Sequence, residues 1–164
     1  MKFMSVSVKS KALVLGTVFL ILSTTFPAWA ALGGDITSVQ SDQLRMQGTI
    51  RTTAKGSYAV HEIQSAAGTV VREYVASAGD SAGKVFAVAW QGPYLPDMRQ
   101  LLGSYFEQYA QAAKAQRNTR MRRAPVLIDE PGLTVQISGH PRSFNGRAYI
   151  PGMLPQGVPA EDIR

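Results

Sequence analysis

The chain of 164 residues contains no cysteine. That excludes disulfides, a thiol nucleophile and a lipid-modified cysteine at an export cleavage point. Histidine is nearly as scarce, present only as His61 and His140. A hydrolytic zinc centre, which needs about three protein ligands, would therefore have to recruit a carboxylate. A Gly-x-Ser-x-Gly string occurs at Gly79-Asp80-Ser81-Ala82-Gly83, but it sits in a small, polar loop that leads into a strand instead of forming a strand-to-helix elbow, and no glycine-rich phosphate loop follows a predicted strand. Long apolar runs are missing too. The best, Ala12 to Leu22, ends at the polar Ser23-Thr24-Thr25, well short of the roughly 20 residues that span a bilayer as a helix.

What residues 1–30 do contain is the pattern of a cleavable secretory signal. Lys2, Lys9 and Lys11 precede the apolar stretch, and Ala28-Trp29-Ala30 supplies a small-x-small site with cleavage expected after Ala30. Removing the leader leaves fourteen basic residues against eleven acidic ones, a formal +3 in place of +6. The basic character of the whole chain thus overstates the case for a polyanion partner, and nucleic acid is not expected. Residues 31–164 are long enough to bury a core without staples and are expected to form a single domain.

The expected fold class is α+β: an antiparallel β-meander, one long amphipathic helix packed on it, and a C-terminal β-hairpin. Val39, Gln43 and Met46 recur at helical spacing over 36–46, with Ser41 or Asp42 as caps, and 49–53 suits an edge strand. The runs 58–64 and 69–75 flank a turn ending in Gly68, a hairpin signal. Residues 84–93 form the central strand, with Phe86, Val88 and Trp90 expected on one face towards the helix and Val85, Ala87 and Ala89 on the other. Met98, Leu101, Leu102, Tyr105, Phe106, Tyr109 and Ala112 then define one buried helical stripe, opened by Asp97 and Gln100 as a capping box. Hairpin strands are expected at 126–129 and 133–138. Asn145-Gly146 is the strongest two-residue turn signal, with 147–150 as the last strand and 151–164 as an irregular tail.

At Tyr58-Ala59-Val60-His61-Glu62, Val85 to Pro93, Leu95-Pro96-Asp97, Leu101 to Phe106, Ser138-Gly139-His140 and Phe144 to Pro151, the chain resembles the DUF2844 family of bacterial exported proteins. The resemblance covers most of 31–164 and implies an exported bacterial domain. The family is one of unknown function and carries over no catalytic, ligand or cofactor residues.

The candidate binding residues are His61, Glu62, Tyr94, His140, Arg142 and Arg147. Both histidines with one of Glu62, Glu73 or Asp129 could supply metal ligands, and a small metal-dependent hydrolase would be built on His61, Glu62 and His140. Lys114, Arg117, Arg120, Arg122 and Arg123 form a basic cluster that would suit anionic lipid headgroups or an acidic partner, or simply a solvated helix end. Glu62 and Glu73 are expected as members of surface charge ladders. No residue stands out as catalytic and no cofactor or resident metal is expected. The functional expectation is a non-enzymatic binding or interaction module of the cell envelope, exported to the periplasm or beyond, binding an unknown protein or envelope ligand. The alternatives are the hydrolase and an envelope structural protein held to anionic lipid.

Overall fold

The computed structural model describes residues 32–119 and 125–164; the expected signal segment, Arg120, Arg122 and Arg123 lie outside them. The chain runs α1 (Ile36–Arg45), β1 (Thr49–Ala54), β2 (Tyr58–Gln64), β3 (Val70–Ala76), β4 (Val85–Gly92), α2 (Met98–Leu102), α3 (Phe106–Thr119), β5 (Val126–Glu130), β6 (Leu133–His140) and β7 (Ser143–Tyr149). All seven strands form one antiparallel sheet in the order β1-β2-β3-β4-β7-β6-β5. The helices carry the chain from β4 to the far edge, and the last three strands return, so the C-terminal strands extend the sheet. The fold is α+β, as the apolar periodicities predict.

Two layers cover the sheet. On one face Leu101, Leu102, Met98 and Val39 from the helices join Ile63, Val71, Val88, Trp90, Val135 and Ala148 in the main core. On the other, Tyr74, Phe86, Ala87 and Ala89 meet Ile163, with Met153 and Leu154 packed alongside. The 151–164 tail is therefore an ordered cover, held by two short 3-10 turns at Pro151–Met153 and Ala160–Asp162.

Strand β4 departs from simple alternation. Val75 pairs with Val85 and Tyr74 with Ala87, leaving Phe86 as an extra residue. This bulge shifts the phase: Val85, Val88 and Trp90 join the helix-side core, while Phe86, Ala87 and Ala89 join the tail side. The expected placement of Val88 and Trp90 against Ala87 and Ala89 holds. Val85 and Phe86 are exchanged.

Three local expectations are also corrected. The helical stretch is interrupted at Gly103, where φ +51 and ψ −120 lie outside what a side chain readily tolerates. Asp97 does cap α2, accepting from the Arg99 and Gln100 amides, but the Gln100 side chain reaches Asp42 instead of closing the box. Asn145 and Gly146 lie inside β7, opposite Gln91 and Trp90. The turn is Pro141-Arg142, with Arg142 at φ +69. Glycine is needed at 146 because a Cβ there would run into Trp90 Cζ2 and the Gln136 carbonyl oxygen.

Candidate functional site

The pleat sorts the ionisable side chains of the sheet into two rows. On the helix side Thr52, His61, Glu73, Val88, Ala148, Val135 and Ile128 lie directly opposite one another across all seven strands. One residue along, on the tail side, the row is Arg51, Glu62, Arg72, Ala89, Arg147, Gln136 and Leu127. His61 and Glu62 are sequence neighbours and so face opposite sides of the sheet.

From His61 to Ile128 the helix-side row is buried, and only Thr52 on the edge strand is exposed. His61 is buried, and its Nδ1 lies 2.9 Å from Thr52 Oγ1; desolvation holds the imidazole below its ordinary pKa. Glu73 is fully buried, and α1 sets the buried Asp42 against it. Gln100 Nε2 donates to Asp42 Oδ1 at 2.5 Å. Neither Glu73 oxygen nor Asp42 Oδ2 has a donor among the described residues; a proton shared between the carboxyls joins Asp42 Oδ2 to one Glu73 oxygen and leaves the other Glu73 oxygen without a donor. Burial, then the Asp42 charge, raises the Glu73 pKa well above the ordinary range, and burial raises Asp42 to about 6. Both carboxyls are thereby biased towards holding a proton, Glu73 more strongly than Asp42. Composition gave no hint of this pair: Asp42 was expected as a cap, the role Asp35 takes through the Thr37 and Ser38 amides, and Glu73 as a surface charge.

The tail-side row is accessible. Arg72 Nε donates to Glu62 Oε2 at 2.8 Å in a partly exposed ion pair. Glu62 and Glu73 are therefore not same-face neighbours. Around that pair Arg51, Lys55, Tyr58, Val60, Tyr74 and Asp162 line an open groove of about 530 Å³. Its floor is firm, because Tyr58, Tyr74 and Phe86 pack with ring centroids 5.8–6.1 Å apart. Tyr74 also exchanges hydrogen bonds with the Arg164 main chain at 2.8 and 3.0 Å. Arg147 is a tether of the same tail: Nη1 donates to Ala160 O at 2.5 Å and Nε to Gln136 Oε1 at 2.9 Å. A smaller hollow of about 300 Å³ lies beside it, between Gln136, Asn145 and Glu161.

The remaining sequence candidates are scattered. His140 and Arg142 are exposed at the β6–β7 turn, and the His140 ring lies against Pro141 O. His61 on β2 and His140 on β6 are four strand spacings apart, about 19 Å at ~4.8 Å each. The His61, Glu62 and His140 set is thus not brought together, and no cluster of three metal-ligating side chains occurs among the described residues. Tyr94 is 61% exposed on a loop anchored by Thr69 Oγ1 donating to Tyr94 O. Lys114 and Arg117 are exposed on α3. No helix among the described residues is long and apolar enough to cross a membrane.

No curated protein and no solved structure matches this chain. Residues 28–163 match the family described as "Protein of unknown function (DUF2844)", which spans both rows, the groove and the tail that closes over it. The chain belongs to the DUF2844 family.

Proposed function

We propose that this protein is an exported, non-enzymatic binding module of the cell envelope, acting in the periplasm. The observation that carries this reading is the partition of its ionisable groups. His61, Glu73 and Asp42, whose proton affinities are shifted chiefly by burial, are closed in on the helix side of the sheet. Among the groups that solvent reaches, Glu62–Arg72 and Arg147 are spent on structure, Arg51, Lys55 and Asp162 line an open groove, and His140, Arg142, Lys114 and Arg117 lie scattered away from it. Open grooves of this kind suit recognition better than chemistry, which favours a water-excluded site. The export half of the reading rests on the Lys2, Lys9, Lys11 and Ala28-Trp29-Ala30 pattern.

The test is fractionation of cells producing the full chain, intact mass of the recovered protein, and photo-crosslinking from the groove in intact envelopes. A periplasmic product beginning at Ala31 and a reproducible crosslinked partner are the expected results. An uncleaved cytosolic product sinks the export half. Groove probes that capture nothing in envelopes sink the binding half.

A further inference from the structure

The two edges of the sheet are treated differently. At β5 the Gln116 side chain of α3 acts as a surrogate strand: Nε2 donates to Leu127 O at 2.8 Å, and Oε1 accepts from Leu127 N at 3.2 Å. The outward main-chain groups at the middle of that edge are therefore occupied. At β1 all six residues, Thr49–Ala54, are exposed. They pair with β2 in unbroken register, without a bulge or proline. Among the described residues no main-chain group of β1 is hydrogen-bonded outside that ladder. In an antiparallel ladder alternate residues turn N–H and C=O outward, so β1 presents a row of open donors and acceptors of the kind that folded proteins usually bulge, shorten or cover.

The charge beside that edge selects the occupant. Arg51 on β1 and Lys55 just beyond it are exposed on the tail side and line the groove. Neither has an acidic partner among the described residues, because the one carboxylate opposite Arg51, Glu62, is held by Arg72. A second copy added to β1 about a two-fold axis centred on the strand would bring the Arg51 side chains within diagonal reach of each other, and like charges there destabilise. The opposite charge fits.

We propose that β1 is a docking strand: an extended segment of a partner protein adds to it as an eighth strand, with carboxylates at alternate positions turned towards Arg51 and Lys55. This rests on the binding-module reading and names the partner's chemistry. Main-chain bonds to Thr49–Ala54 supply the register, and the alternation of the incoming strand places every second side chain over the groove.

The experiment uses the mature protein and short synthetic peptides alternating aspartate with valine, the same peptide alternating lysine with valine, and the aspartate peptide with alternate amides N-methylated. Binding is read by fluorescence anisotropy and by hydrogen exchange of the β1 amides. The expected result is saturable binding of the aspartate peptide, with slowed exchange in Thr49–Ala54. Binding should be lost on N-methylation and weakened about tenfold in the exposed double variant Arg51→Glu, Lys55→Glu. Equal binding of the N-methylated or lysine peptide overturns the proposal, as does no binding of the aspartate peptide. A protein dimer that buries β1 without peptide does so as well, in favour of a second copy. If the peptides fail while envelope crosslinks still form from Tyr94 or the groove, strand addition falls and the binding module stands.

Discussion

Glu73 on β3 and Asp42 on α1 place two carboxyl groups against each other in the interior, and among the described residues the Gln100 side chain on α2 is the side-chain donor that reaches them. Three elements distant in sequence are thereby joined at one shared proton. The pair ties α1 and α2 to the centre of the sheet, and its protonation links the packing of that layer to pH.

Folding stability is expected to fall as pH rises through this pair. Both carboxyls have folded pKa values above their unfolded values, 3.8 to about 6 for Asp42 and from 4.5 upward for Glu73. The native state therefore holds more protons than the unfolded one, and the slope of stability against pH is negative. The contribution is complete below about pH 4 and declines from there through pH 6 and beyond, on the order of 1–3 kcal/mol. Buried His61 works the other way, because its lowered pKa removes stability as pH drops below 6.5. Urea unfolding across this range should show the decline in wild type and a flatter profile in Glu73→Gln. A wild-type curve that rises from pH 4 to 6, unchanged in Glu73→Gln, would contradict the shared proton.

Gly146→Ala should destabilise by about 1–3 kcal/mol, because the new methyl group runs into the Trp90 ring. In a chain beginning at Ala31, Trp90 is the single tryptophan. Its emission should shift as the ring is displaced, and an unmoved spectrum with unchanged stability would refute the close packing.

The tail should come away when its anchor is cut. Ile163 is 1% exposed in the tail-side cluster, and Ile163→Ala should lose about 2–4 kcal/mol. Arg147→Met removes the bonds to Ala160 O and Ile163 O and should speed proteolysis within 151–164 while the sheet amides stay protected. Sheet and tail opening together would show that the cover is integral to the fold.

Gln116→Ala should expose the β5 edge, since both bonds to Leu127 are lost. A modest loss of about 1 kcal/mol is expected, together with concentration-dependent association measured by sedimentation. A variant that stays monomeric at all concentrations would show that α3 covers this edge without the amide.

Local rules of the chain were enough to place most of the elements, though not the β6–β7 turn or the break at Gly103. The stripe from Met98 to Ala112 had to be helical, because its apolar residues recur at that period. The runs at 58–64, 69–75 and 84–93 had to contain strands, because they are rich in β-branched and aromatic residues and bounded by turn residues. Only the tertiary structure decided which strand meets which, and hence what each side chain does. Pairing of β7 with β4 put Gly146 beneath Trp90 and converted a turn signal into a packing requirement. The bulge at Phe86 moved an aromatic ring to the opposite face. Docking of α1 over β3 turned Asp42 and Glu73, each an ordinary polar residue in its own segment, into a buried pair. Periodicity depends on neighbours a few residues away and is written along the chain. Burial, register and proton affinity depend on groups brought together from distant positions, and they exist only once the sheet and helices have packed.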